Sequence, residues 1–488
     1  MAMLGKRRPR RQASGVSGLQ GRQQPRGAPL LRGGGEPASR EVTIERLAHD
    51  GRGVAHDPDG KTLFVEGALP GERVEAAVHR TRKRFDEAHV REVVAAAPER
   101  VAPPCAHYTR CGGCDLQHLA LPAQRRHKQA VLRELLARQG IAVDGEPELL
   151  AGAGEGYRRR ARLGVKVDAQ GAIHLGFRAR HSHRLVTIDH CTILAPALDA
   201  LLGPLHHHLA SLEAPRQVGH LELVESDQGA VVVVRQLKGH EGDRGRWQAF
   251  AAARGVPLAW LTGREAPTLE WLTPPPALSC RVPSARQASG ASDLTLGFAP
   301  GDFLQANAEV NRAMVSTALA WLGAGEGALA GREVLDLFAG VGNFSLPLAD
   351  AGASVTAVEG NLAMVDRLAD NAAANGLPLL ARQADLAQEA TAAALLAEAR
   401  PEVVVLDPPR EGAESVARAL CAAPVPRVLY VACDPATLAR DAARLVHGGY
   451  RMTRSAVADM FVHTSHLESM LLFEHPRWQQ PQGASPDG

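Results

Sequence analysis

Long apolar runs are missing from this chain of 488 residues. A membrane-spanning helix needs about 18 or more consecutive apolar residues, and the richest stretch here, residues 230–234, is only strand-sized. A helical membrane protein is therefore excluded, and no membrane partner is expected. No short apolar segment follows the basic N-terminus, so no secretory signal is expected either. Cysteine is scarce, and seven of them spread over a long chain argue against a disulfide framework. Thiols or a metal centre in a reducing compartment, the cytoplasm, are the expectation. Net charge is nearly absent at +2 but unevenly placed. What remains is ordinary globular material, 45% hydrophobic and 22% charged. At about 150 residues per domain it fills roughly three domains, and a monomer is expected.

Residues 1–40 hold nine Lys or Arg against one acid, Glu36. With their Gly, Pro, Ser and Gln they read as a disordered basic tail. Such a tail is an electrostatic arm for nucleic acid or a solvated segment with no specific task, and composition does not choose between them; an organellar transit peptide of similar composition is a third, lesser reading. Residues 41–97 read as a small OB-like β-barrel. Val42 and Ile44 alternate with polar neighbours, Asp59-Gly60 is a hairpin signal, and Val74, Ala76 and Val78 alternate again before Arg80, Arg82, Lys83 and Arg84. Short strands with cations on one loop suit an RNA backbone. The segment GRGVAHDPDGKTLFVEGALPGERV also resembles the TRAM domain, an RNA-binding barrel of RNA-modifying enzymes. Residues 98–300 form a central α+β region with a helix near 124–139. Between positions 157 and 184, Arg158, Arg159, Arg160, Arg162, Lys166, Arg178, Arg180 and Arg184 face only Asp168. That density of charge reads as part of an RNA track.

From 301 to 488 apolar strand-like runs at 333–338, 354–359, 403–407 and 427–432 alternate with Ala- and Leu-rich helical stretches. The expectation is a doubly wound α/β domain with its ligands at the carboxyl ends of the strands. In VLDLFAGVGNFSLPLA, Gly340 and Gly342 allow a backbone to approach a ligand, although Ser345 breaks the full dinucleotide-binding spacing. Glu359 ends the second strand, where it is placed for ribose hydroxyls, and Asp385 ends the third, where it is placed for an adenine amino group. This set resembles the S-adenosylmethionine site of class I methyltransferases. The fourth strand ends in Asp407-Pro408-Pro409, as in amino-methyltransferases, but Arg410 stands where those enzymes carry an aromatic residue.

Another chemistry is offered by Cys433, at the carboxyl end of the fifth strand where a helix should begin. A helix N-terminus favours thiolate. A methyltransferase needs a thiolate when the acceptor is carbon 5 of a pyrimidine, because addition at carbon 6 turns carbon 5 into a nucleophile. A base must then remove the carbon-5 proton. Glu468 lies in an apolar stretch that should raise its pKa, which makes it a usable base. Separately, Cys105, Cys111 and Cys114 follow a C-x₅-C-x₂-C spacing, with Cys191 downstream. Four such thiols fit a metal centre, and spacing alone leaves zinc and iron–sulfur both open.

Taken in order, GDFLQANAEVN, LDLFAGVGN, VEG, DPPR, CDPATLARD and HLES resemble the RNA uracil-C5 methyltransferases over nearly everything after residue 40. The resemblance implies that Cys433 is the nucleophile and Glu468 the base. It implies that Gln305, Phe338, Asn343, Glu359, Asp385 and Asp407 contact S-adenosylmethionine or line its pocket. It further implies a [4Fe–4S] cluster on Cys105, Cys111, Cys114 and Cys191. Within the family, barrel and cluster together point to the branch that makes 5-methyluridine in 23S ribosomal RNA. The alternatives are a transfer-RNA uracil-C5 methyltransferase, a non-catalytic RNA-binding assembly factor, and an amino-methyltransferase.

Overall fold

The computed structural model describes residues 39–265, 267–287 and 290–476. The basic tail expected over 1–40 lies outside the described residues except for Ser39 and Arg40, which already belong to the first strand. There Arg40 pairs with Asp57 at 3.1 Å.

The expected barrel is a six-stranded sheet in the order Ser39–Thr43, Arg73–Thr81, Phe85–Ala95, Thr62–Glu66, Gly53–His56, Arg46–Leu47. Ile44, Leu63, Val65, Val74 and Ala76 fill its interior, as the period-two pattern demands. Gly60 at φ 80° makes the expected hairpin turn. Glu72 is fully buried, and a buried carboxylate needs partners. It accepts the Leu69 amide at 2.8 Å and the Arg100 guanidinium at 2.5 and 2.7 Å, tying the barrel to the next segment. Arg80, Arg82, Lys83 and Arg84 all stand exposed around the turn between the two longest strands.

The central region is built on a seven-stranded sheet in the order Leu185–Thr187, Ile173–Arg178, Arg160–Val167, Val218–Ser226, Gly229–Gln236, Leu258–Thr262, Thr268–Trp271. The helices Leu202–Ser211 and Glu241–Arg254 contribute Leu205, Leu209, Trp247 and Phe250 to its core. The basic stretch of this region is only partly a surface. Arg162, Lys166, Arg178 and Arg184 are exposed, but Arg159 is buried and Arg160 pairs with Glu222 at 2.6 Å. Glu222 is thus a second acid facing these cations, drawn from a strand that the sequence sets well apart.

The third sheet has eight strands in the order Leu379–Gln383, Ser354–Glu359, Glu333–Leu337, Val403–Leu406, Arg427–Ala432, Glu468–Glu474, Arg451–Ala458, Glu148–Leu150. The first five run parallel, while Glu468–Glu474 is antiparallel to both its neighbours. Residues grouped by sequence with the central region supply part of this unit. Glu148–Leu150 forms its edge strand. The helix Leu121–Arg138 places Val131, Leu132 and Leu136 in one core with Leu438, Leu445 and Tyr450. That helix stops at Gly140, φ 75°, where the Ile141 amide returns to the Leu136 carbonyl at 3.0 Å in a Schellman-type cap.

Leu136 is fully buried where the two chain regions meet. Leu136→Ala should therefore destabilise this unit by about 2–5 kcal/mol, read from denaturant unfolding. A loss below about 1 kcal/mol would show that the helix is not part of the core.

Candidate active site

The carboxyl edge of the parallel strands opens into a cavity of about 650 Å³. Gln305, Phe338, Asn343, Glu359, Asp385, Asp407, Cys433 and Glu468 all line it. Each arrives for a local reason. Phe338 takes φ 64° in the turn that follows the strand Glu333–Leu337. A bulky residue in the left-handed region is strained and persists only where the surroundings impose it. Glu359 is pinned at the end of its strand, accepting the Gly340 amide at 3.1 Å and the Asn361 amide at 2.9 Å. Asp385 accepts the Ala387 amide at 3.0 Å. Asn343 is paired with Asn311 through reciprocal amide bonds of 2.8 and 3.0 Å, which fixes its orientation. The Gln305 carbonyl takes the Nε–H of buried Arg159 at 2.7 Å, so this arginine supports the cavity wall rather than an RNA track.

Cys433 and Glu468 meet through strand register. Ala432 pairs with Ser469 across antiparallel strands, so the flanking residues Cys433 and Glu468 fall at the same end of the sheet. Glu468 is 3% exposed. Burial first, then the neighbouring Asp407, raises its pKa well above the ordinary carboxylate range, with Arg410 opposing. Asp407 is itself raised, by burial and by Asp336. Both carboxyls therefore bind a proton more tightly than an ordinary carboxylate does.

The thiol departs from the sequence expectation. The helix Pro435–His447 does begin beyond Cys433, but Asp434 caps it, accepting the amides of Ala436 and Thr437 at 3.0 and 2.9 Å. An anionic cap offsets the positive end of the helix. Burial, Glu468 and Asp407 push the Cys433 thiol up to about 11, against Arg410. A resting thiol rather than a thiolate is the result.

Sequence reasoning missed Asp336, although an acid inside the apolar run VLDLF is a signal in itself. It is 1% exposed, and Ser345 Oγ donates to it at 2.5 Å. Arg410, noted only as a departure from the amino-methyltransferase pattern, lines this cavity and a second one of about 260 Å³.

That second cavity is lined by Cys105, Cys111, Cys114 and Cys191. All four are free thiols. Burial pushes Cys114 up to about 12, and the three other thiols add to the rise. Among the described residues no three His, Cys, Asp or Glu side chains converge on a single-ion position. The thiols surround a larger space instead. Cys280 and Cys421 lie elsewhere, Cys280 in the core beside Leu296 and Cys421 against the Arg444 carbonyl.

Alkylation of Cys433 by iodoacetamide, followed by peptide mass spectrometry, should be slow at pH 7 and climb about tenfold per pH unit toward pH 11. A plateau reached by pH 7 would mean that the helix end, not burial, sets the thiol.

The sequence matches the family described as tRNA (Uracil-5-)-methyltransferase over residues 291–476 and the TRAM domain over residues 38–90. A curated relative from Halomonas elongata, named 23S rRNA (uracil(1939)-C(5))-methyltransferase RlmD, is 64% identical over 491 residues, covering 100% of both chains. A relative of the same name from Chromohalobacter salexigens is 56% identical, covering 99% of this chain and 98% of its own. Among solved structures, a Pyrococcus abyssi tRNA (uracil-54, C5)-methyltransferase in complex with S-adenosyl-L-homocysteine covers 89% of this chain and 100% of its own, at a TM-score of 0.67 and 21% identity. That likeness is one of fold. With identity this high along the whole chain, and with every cavity residue of the family pattern gathered at one sheet edge, the protein belongs to the RNA uracil-C5 methyltransferases.

Proposed function

We propose that the protein methylates carbon 5 of a uridine in 23S ribosomal RNA, in the cytoplasm, through a covalent adduct with Cys433. The observation that carries this reading is the pairing of a half-buried thiol with a buried carboxyl at the edge of a cofactor-sized cavity. The choice of 23S RNA rests on what the relatives from Halomonas and Chromohalobacter are named for. The N-terminal barrel, with its exposed cations, supports an RNA substrate.

S-adenosylmethionine, when bound, supplies a methyl group on a cationic sulfonium. Glu359 and Asp385 are placed to take its ribose and adenine, and Gln305, Phe338 and Asn343 to line its pocket. Asp407 and Glu468 present carboxyls to the reacting end, where positive charge favours their ionised forms and Arg410 favours the thiolate. Cys433 gives its proton to solvent, and its sulfur bonds to carbon 6 of the uracil, which must leave its stack to reach the cavity. The electrons of the C5–C6 double bond pass into an enolate. Carbon 5 then takes the methyl group, and the donor's electron pair stays with its sulfur. Glu468 removes the carbon-5 proton, the double bond re-forms, and the Cys433 sulfur leaves with the electrons of its bond.

The four free thiols around one cavity fit a [4Fe–4S] cluster, held by Cys105, Cys111, Cys114 and Cys191. With every iron ligated by protein, such a cluster supplies structure rather than an open catalytic metal. Protein purified without oxygen should contain iron with acid-labile sulfide, and Cys114→Ser should lose both. Stoichiometric zinc without iron would overturn the cluster.

Cys433→Ala should abolish transfer while still binding S-adenosylmethionine. Glu468→Gln should transfer the methyl but release product slowly, accumulating a denaturation-resistant protein–RNA adduct that carries it. Methylation of carbon 5 by Cys433→Ala would refute the covalent route, and normal turnover by Glu468→Gln would move the base to another residue.

A further inference from the structure

The segment between Ala458 and Glu468 links two strands without joining the sheet. Its first residue, Asp459, is anchored by the helix Leu121–Arg138, through Lys128 Nζ at 2.7 Å and Arg125 Nε at 3.0 Å. Both Lys128 and Asp459 are 1% exposed. The same helix reaches its middle, where Lys128 Nζ donates to the Phe461 carbonyl at 2.9 Å and the Gln124 side chain accepts the His463 amide at 3.1 Å, and a second segment holds it as well. His463 adopts φ 64°, an uncommon conformation for any residue with a side chain, and is buried. The His463 carbonyl takes the amides of Asp115 and Leu116, each at 3.0 Å. The Asp115 carboxyl then takes the Ser465 amide at 2.7 Å and the Ser465 hydroxyl at 2.8 Å. Asp115 and Leu116 directly follow Cys114, so the loop carrying three of the four clustered thiols shares with Gln124 the task of holding the strained turn.

We propose that this cysteine loop is a clamp whose function is to aim Glu468, with Ser465 and His463 as positioning residues for proton removal. The proposal rests on Glu468 being the base. Ser465 lies three positions before Glu468, and Glu468 opens its strand, so the backbone entering the base is set by the clamped turn. Cys433 has supports of its own in the strand Arg427–Ala432 and the Asp434 cap, beside the strand pairing it shares with Glu468. Thiolate addition and methyl transfer depend on these supports alone. Loss of the carbon-5 proton, which frees the Cys433 sulfur and restores the double bond, depends on the clamp as well. A loosened clamp should therefore stall the reaction after methyl transfer rather than before it.

Two measurements test this. Ser465→Ala should keep wild-type iron, sulfide and S-adenosylmethionine binding, yet raise the steady-state fraction of methylated adduct at least about fivefold. Ser465→Thr, which keeps the hydroxyl, should restore the wild-type fraction. Hydrogen exchange on the full wild-type chain should show residues 461–468 losing protection when iron is stripped, while residues 435–447 stay protected. An unchanged adduct fraction in Ser465→Ala with iron intact, or unchanged protection of 461–468 on iron removal, would overturn the clamp. Glu468→Gln is the control: if it traps no adduct, the catalytic reading itself fails. If it traps adduct and Ser465→Ala does not, only the clamp is wrong.

Discussion

One antiparallel strand makes the catalytic edge. The five parallel strands of the third sheet bring their last residues to the cavity, as any doubly wound sheet does. Glu468–Glu474 runs against them, so its first residue reaches that edge instead. The pairing of Ala432 with Ser469 then leaves Cys433 and Glu468 as neighbours. A slip of one residue would turn the whole strand over and send the carboxyl to the opposite face. Ladders on both sides, to Arg427–Ala432 and to Arg451–Ala458, hold that register.

Burial sets the electrostatics of this edge. Cys433, Glu468 and Asp407 each gain a proton affinity above the ordinary, because desolvation and mutual repulsion penalise three anions in one cavity. Arg410 is the cation that opposes this for Cys433 and Glu468. A site in this state is inert toward stray electrophiles and is completed by a positively charged ligand. In the mechanism proposed above the sulfonium of S-adenosylmethionine would supply that charge, coupling its binding to activation of the thiol by Coulomb attraction.

Much of this was legible in the sequence. Apolar runs and glycine turns marked the strands 354–359 and 427–432 and the helix 362–374 at the limits the structure gives them. The strand tips carried the cavity residues with them. Other features left no local signal. Lys128 and Asp459 are 331 positions apart, and nothing near either residue announces a buried ion pair. The helix Leu121–Arg138 reads as amphipathic without saying which sheet it covers. Arg159 and Arg160 look like surface cations until Gln305 and Glu222 arrive from distant parts of the chain. The thiol differs from the sequence expectation because burial, and then Glu468 and Asp407 brought from other strand ends, outweigh the helix end on which its activation was expected to depend.

The central claim is that a Cys433–carbon-6 bond precedes methyl transfer, and that its release requires removal of the substituent at carbon 5. A target RNA in which uridine is replaced by 5-fluorouridine tests it directly, because fluorine cannot leave as a proton does. Incubation with S-adenosylmethionine, nuclease digestion and peptide mass spectrometry should find one covalent nucleotide on the peptide containing Cys433, carrying both the fluorine and the transferred methyl group. A nucleotide attached to any other residue, or methylated RNA with no covalent species, would contradict the account.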